Sequence, residues 1–291
     1  MFEGSYVALI TPMMTNGAVD EAALHRLVEW HISEGTSGLV PVGTTGESPV
    51  LTHEEHLRVI ELVTDQVAGR IPVIAGCGSN NTAEALQLHE HAFQSGANGA
   101  LHVTGYYNRP SQEGIYRHFE ALSEKNDLPI IVYNIPPRAV VDITVETMAR
   151  ISQLPTVVGV KDATTDLARP ALEAMHISKP FSFLSGEDAT AVAYNAAGGK
   201  GCISATANVM PAYCSKMQNA CLSGDFPTAM AIQRKLMPLH AALFAEPSPA
   251  GIKYACSKIG LCEDHVRLPM VPISETTKNT IDSALSTLGV M

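Results

Sequence analysis

The sequence predicts an α/β protein built as a (β/α)8 barrel with a small helical C-terminal appendage. Three observations carry that reading. Short apolar runs bounded by Gly, Pro, Thr or Ser recur along the chain, each followed by a longer stretch of helical periodicity. The runs are apolar without strict alternation, which suits parallel strands covered on both faces. Eight of them occur within roughly 220 residues, the usual span of such a barrel. A doubly wound open sheet is the competing arrangement, but no G-x-G-x-x-G follows the first run.

In chain order the runs are residues 6–10, 38–42, 72–75, 99–103, 129–133, 156–160, 181–184 and 201–204. The first follows Gly4-Ser5, the second lies between Thr36-Ser37 and Gly43, and the third and fifth begin on Pro72 and Pro129. The fourth ends at Thr104-Gly105, the sixth follows Pro155, the seventh follows Pro180 and the eighth begins on Gly201. Past about Pro211 the strand signal stops and helical stretches follow at 213–223, 226–246, 249–260 and near 275–288. Glu246-Pro247-Ser248-Pro249 breaks the second from the third. The expected division is a catalytic barrel over residues 1–224 and a helical region over 225–291, joined without a linker.

Composition narrows the function classes. The 291 residues include 46% hydrophobic ones, enough for a large core. The formal net charge of −10, with no local basic patch, disfavours nucleic acid and anionic membranes as partners. The six cysteines show no C-x-x-C spacing and sit inside regular apolar patterns, so reduced, packed thiols are expected. The segment Met1-Phe2-Glu3-Gly4-Ser5-Tyr6 has no basic stretch leading into an apolar one, and no run approaches the roughly 20 apolar residues of a membrane span. A cytoplasmic protein is the expectation.

In a barrel of this kind the active site gathers at the C-terminal ends of the strands, and those positions here are polar. They include Gly43-Thr44-Thr45-Gly46-Glu47-Ser48, Gly76-Cys77-Gly78-Ser79-Asn80-Asn81, Thr104-Gly105-Tyr106-Tyr107-Asn108-Arg109-Pro110 and Tyr133-Asn134-Ile135-Pro136-Pro137-Arg138. The sixth run ends on Lys161, and an ammonium at the end of an interior strand must either reach water or be used. Against apolar barrel walls an amine loses part of its preference for charge and can attack a ketone to form a Schiff base. The resulting iminium is an electron sink for a carbanion on the next carbon, as aldol addition requires. A tyrosine hydroxyl helped by a second hydroxyl can shuttle the proton, and Tyr133 lies one strand away, with Thr44 placed to extend the chain across the barrel. Two other patterns point elsewhere. His53-Glu54-Glu55-His56 has i, i+3 spacing rather than the i, i+4 of H-E-x-x-H, and Thr52 with Glu55 reads as a helix capping box, so no metal site is expected. Gly76-Cys77-Gly78 reads as a turn rather than a phosphate cradle.

Four motifs occur in order: GTTGE at 43–47, GYYNRPSQEG at 105–114, YNIPPR at 133–138 and GVKDAT at 159–164. With Leu268-Pro269-Met270 they make the chain resemble, over essentially its whole length, the dihydrodipicolinate synthase family of the pyruvate aldolase superfamily, which also contains N-acetylneuraminate lyase. The resemblance implies a cytosolic homotetramer, a dimer of dimers, that needs no metal or organic cofactor. It also implies condensation of pyruvate with L-aspartate 4-semialdehyde in the first committed step of lysine and diaminopimelate synthesis. Lys161 would carry the pyruvate Schiff base. Tyr133, Thr44 and Tyr107 would form the proton relay, with Tyr107 reaching in from the neighbouring subunit. Thr45, Gly186 and Ile203 would place pyruvate, and Arg138 would grip the carboxylate of the semialdehyde. L-Lysine, the expected inhibitor, would be held by Ser48, Pro49, His53, His56, Asn80, Glu84 and Tyr106. The family often continues the arginine with Thr-Gly, whereas this chain reads Arg138-Ala139-Val140-Val141-Asp142. Valine is expected to refuse the positive φ open to glycine, so a differently bent loop is expected there. The alternatives are another pyruvate-dependent aldolase or dehydratase acting on a sugar acid, which Arg138 and Thr44-Thr45 argue against, and a non-catalytic barrel that binds a keto acid.

Overall fold

The computed structural model describes residues 1–290. Strand and helix alternate in the order β1 (Gly4–Ala8), α1 (Glu21–Ser33), β2 (Gly38–Val40), α2 (His53–Val67), β3 (Ile74–Gly76), α3 (Thr82–Gln94), β4 (Gly99–Val103), α4 (Gln112–Ser123) and β5 (Ile130–Asn134). There follow α5 (Pro136–Ala139), α6 (Val145–Ser152), β6 (Val157–Asp162), α7 (Arg169–Ala174), β7 (Ser182–Ser185), α8 (Ala191–Ala196), β8 (Gly201–Ser204) and α9 (Pro211–Leu222). The chain then runs through α10 (Phe226–Leu243), α11 (Ala250–Lys258) and α12 (Glu275–Leu288). The strands pair in the order β2-β1-β8-β7-β6-β5-β4-β3. Every pairing is parallel, and a bridge between Leu39 and Val73 joins the two ends, so the sheet closes into the expected barrel.

The closure explains why the strand sequences do not alternate. On β5, Ile130 and Val132 face outward and pack with Ile143, Met148 and Ile151, while Ile131 and Tyr133 face inward with Leu101, Leu184 and Ile203. Both faces of the strand are therefore dry, and each position carries an apolar side chain. The inner layer ends upward in Tyr133 and Lys161, which stand opposite each other in the β5–β6 register. β6 runs one residue past Lys161, to Asp162, because β5 and β7 continue alongside with Asn134 and Ser185 as partners.

Side-chain oxygens of Asp20, Thr52, Asn81, Ser111, Thr144, Asp225 and Ser274 cap the helices that follow them, each accepting from a backbone N–H of the first turn. The capping box expected at Thr52 and Glu55 is present. Glu55 is further held by Arg267, whose Nη1 lies 2.6 Å from Oε2. Among the described residues no cluster of His, Cys, Asp or Glu is placed to hold a metal ion. All six cysteines are free, and five of them are buried. Among the described residues no helix is long and apolar enough to cross a membrane.

The C-terminal helices serve the barrel mouth. Lys253 of α11 is fully buried, and its Nζ lies 2.5 Å from Glu47 Oε1 and 2.8 Å from the carbonyl of His265. The other carboxylate oxygen of Glu47 accepts the N–H of Arg267. The last residue of the GTTGE segment is thus pinned by residues more than 200 positions away in sequence.

The loop after α5 departs from expectation. Val140 takes φ 65 and ψ −16, the left-handed conformation the sequence reading denied it. Two constraints impose it. The Val140 N–H donates to the carbonyl of Pro136 at 2.8 Å, closing the turn, and buried Ala139 and Ile143 anchor the chain on either side. The valine side chain is 60% exposed, so its branched carbons meet water rather than the barrel wall. The conformation still costs about 1–3 kcal/mol in a β-branched residue, against about 0.5–1 kcal/mol for the greater freedom glycine loses on folding. Val140→Gly is therefore expected to stabilise the protein by about 1 kcal/mol, read as a raised urea midpoint at unchanged slope.

Candidate active site

Lys161 enters the barrel from β6 and is only 6% exposed. Its Nζ sits 4.2 Å from the centroid of the Tyr133 ring, and among the described residues no carboxylate pairs with it. Lys253, the other deeply buried lysine, is neutralised by Glu47, so the contrast is between a structural ion pair and a cation whose only compensation is an aromatic face. Buried lysines are ordinarily paired, so an amine left without a carboxylate in a cavity is marked for use rather than for structure.

A cavity of about 220 Å³ opens above the lysine. Thr44, Thr45, Tyr133, Arg138, Lys161, Gly186 and Ile203 all line it, so seven sequence-predicted residues from five strand ends meet in one place. Gly186 is required by space rather than by backbone angle. A methyl group there would lie 2.9 Å from the Cβ of Ala163 and 3.2 Å from Cε of Lys161, displacing the amine. Arg138 sits on the short helix α5 at the rim, and α5 is held by its surroundings. Asn134 donates to Asp142 at 2.7 Å, and Asp142 also accepts both bonds of the Arg169 Nη1 at 3.0 Å. Asp162, beside the lysine, accepts the N–H of Thr164, and burial holds its carboxyl above the ordinary range.

Tyr107 lines neither this cavity nor the one next to it. It is 91% exposed, with φ 67, on the loop after β4. Left-handed non-glycine residues gather in these mouth loops: Val42, Glu47, Tyr107, Arg109, Val140 and Thr165. Strain of that kind persists where the surroundings dictate the loop conformation.

A second cavity, about 240 Å³, shares Thr44, Tyr133, Ile135 and Arg138 with the first and extends to Ser48, Pro49 and Tyr106. The remaining four residues predicted for an effector lie beside it, off its wall. His53 pairs with Glu84 at 2.6 Å, Glu84 also accepts from the Ser79 hydroxyl, and the Asn80 amide donates to the carbonyl of Tyr106 at 3.2 Å. His56 is no surface decoration. It is buried, with one ring nitrogen 2.8 Å from the Gly76 carbonyl and the other 3.2 Å from the Ser48 hydroxyl, and burial pulls its pKa down. The glycines of Gly76-Cys77-Gly78 allow backbone contact, since a Cβ at Gly76 would sit 2.4 Å from the Val42 carbonyl oxygen. The turn expected there is not formed: Gly76 closes β3, and the N–H groups of Gly76 and Cys77 donate to the carbonyls of Pro41 and Leu101 in the neighbouring segments.

The sequence reading did not reach Glu187, Asp188 and His240, which also line the lysine cavity. Glu187 and Asp188 follow β7 directly, so the strand-end rule applies to them as to the others. His240 lies on α10 and arrives through tertiary packing alone.

These features define a (β/α)8 barrel enzyme whose pocket is built around one lysine. The chain matches the model of the dihydrodipicolinate synthetase family over residues 1–288, and it belongs to that family. A relative from Parvibaculum lavamentivorans, 57% identical over the full length of both chains, is named 4-hydroxy-tetrahydrodipicolinate synthase. Among solved structures, the chloride-inhibited dihydrodipicolinate synthase from Acinetobacter baumannii complexed with pyruvate superposes with a TM-score of 0.98 at 40% identity over all of both chains. The enzyme from Cyanidioschyzon merolae with lysine bound superposes with a TM-score of 0.96 at 32% identity, covering 100% of this chain and 99% of that one.

Proposed function

We propose that this protein condenses pyruvate with L-aspartate 4-semialdehyde to give 4-hydroxy-tetrahydrodipicolinate, the first committed step toward lysine and diaminopimelate. The observation that carries the reading is the buried, carboxylate-free Lys161 against the Tyr133 ring in a cavity rimmed by Arg138. The lysine amine attacks the ketone of pyruvate and water leaves, giving an iminium. Loss of a methyl proton gives the enamine, which attacks the aldehyde. The amine of the second substrate then attacks the iminium carbon, closing the ring and freeing Lys161. Tyr133 and Thr44, with Tyr107 of a neighbouring copy, carry protons between these steps, and Thr45, Gly186 and Ile203 place pyruvate. The assembly is a cytoplasmic homotetramer, a dimer of dimers. The exposed Tyr107 supports that reading, because its own chain gives it no pocket. Residues 1–224 form the catalytic unit and 225–291 a helical region that braces its mouth. A coupled assay with pyruvate and a panel of aldehydes tests the reading: turnover with L-aspartate 4-semialdehyde supports it, and preference for a sugar-derived aldehyde refutes it.

Arg138 makes no ion pair of its own among the described residues, which leaves its guanidinium available to a substrate carboxylate. Arg138→Ala is expected to raise KM for the semialdehyde by about ten- to a hundredfold, the effect of losing a charge-assisted pair of about 1.5–3 kcal/mol, with little change in KM for pyruvate. Equal effects on both would indicate collapse of the α5 loop instead.

L-Lysine inhibits by binding beside the second cavity. Glu84 suits its ammonium, and the shared wall at Thr44 and Tyr133 links the two pockets. Partial inhibition that persists at saturating pyruvate is expected, with relief in Glu84→Thr. Full activity in millimolar L-lysine would contradict it.

A further inference from the structure

We infer that Glu187, held by His240, is the receptor for the ammonium group of the second substrate, and that with Arg138 it makes the cavity selective for an α-amino acid aldehyde. The inference rests on the substrate reading above and adds a residue to it. Glu187 follows Gly186, at which an added Cβ would lie 3.2 Å from Cε of Lys161, and both Glu187 and Arg138 line the same cavity. A zwitterionic aldehyde presents one carboxylate and one ammonium. The cavity offers Arg138 to the first and needs an anion for the second.

Two carboxylates line the pocket, and their hydrogen bonds separate them. Asp188 is occupied on both oxygens: Oδ1 accepts the Ser204 hydroxyl, and Oδ2 accepts the N–H groups of Ala205 at 3.0 Å and Thr206 at 3.1 Å. It fastens β8 to the turn after β7. Glu187 spends only one oxygen on structure. Oε1 accepts the N–H of Ala189 at 3.1 Å and lies 3.0 Å from Nε2 of His240, while Oε2 has no partner among the described residues. A plain capping role accounts for Oε1 and leaves Oε2 unexplained.

The other nitrogen of His240 lies 3.1 Å from the Thr206 hydroxyl, so the ring is fixed from both ends. Burial opposes its charge, but the hydrogen bond to Glu187 and the charge of Asp188 prevail and raise its pKa. That bond in turn holds the Glu187 carboxyl below its ordinary value, which keeps it anionic. His240 is thus a positioning residue, and Glu187 the group that touches substrate. The placement also suits the reaction order. An ammonium held next to Gly186 lies near the iminium carbon on Lys161, where the amine must arrive for ring closure.

The test compares two four-carbon aldehyde acids that differ by the amine. KM for L-aspartate 4-semialdehyde and the inhibition constant of succinate semialdehyde are measured in the wild type, Glu187→Gln and Glu187→Asp. Glu187→Gln is expected to raise the first by about tenfold or more while the second moves by less than about threefold, so that discrimination collapses. Glu187→Asp, which keeps the charge, is expected to recover part of it. His240→Leu is expected to shift the same ratio in the same direction, chiefly through KM rather than kcat, and it carries the test should Glu187→Gln fail to fold. Borohydride trapping of pyruvate on Lys161 in each variant reports an intact barrel. Parallel changes for both aldehydes, or none, would overturn the inference. Absence of wild-type turnover with the semialdehyde would instead overturn the substrate reading beneath it.

Discussion

Lys161→Ala is expected to lower the condensation rate by about 10⁴-fold or more while leaving the protein folded. Holding a reactant covalently replaces an encounter in solution, and such tethering corresponds to effective molarities of about 10⁵–10⁸ M. The fold should tolerate the change because Lys161 has no carboxylate partner to strand, and the space it leaves adjoins an existing cavity. Removing an unpaired buried amine relieves desolvation, so the thermal midpoint is expected to hold or rise. Steady-state rates and calorimetry on the purified variant check both halves. A large loss of stability together with activity would mean that the lysine is a structural element.

Tyr133→Phe separates the aromatic ring from its hydroxyl. The ring face that lies 4.2 Å from the lysine nitrogen is retained, so the Schiff base should still form. The proton donor is lost, and turnover is expected to fall by roughly 10²-fold or more, the usual effect of a positioned acid or base. Reductive trapping that remains measurable while turnover falls would place Tyr133 after iminium formation. Unchanged turnover would remove it from the relay.

The strands were legible because burial on both faces leaves a plain mark: Ile130, Ile131 and Val132 are apolar in succession since each meets either a helix or the barrel interior. Lys161 was legible for the converse reason, as a charged residue where that mark should have continued. Thr44, Thr45, Arg138 and Gly186 reach one cavity because parallel strands all deliver their C-terminal ends to the same side. Periodicity could not reveal His240, which occupies an ordinary buried position on α10 and gains its meaning only from Glu187, 53 residues earlier. Val140 shows the opposite failure. Local preference excluded φ 65, but the turn hydrogen bond to Pro136 and the buried anchors on both sides outweighed a cost of about 1–3 kcal/mol.

Reduction with borohydride in the presence of pyruvate, followed by mass mapping of the digested protein, tests the central claim most directly. Reduction turns an iminium into a stable secondary amine and fixes the three-carbon acid where it stood. A reduced pyruvyl group on Lys161, absent without pyruvate, is the predicted result; attachment to a different lysine, or to none, would contradict the account.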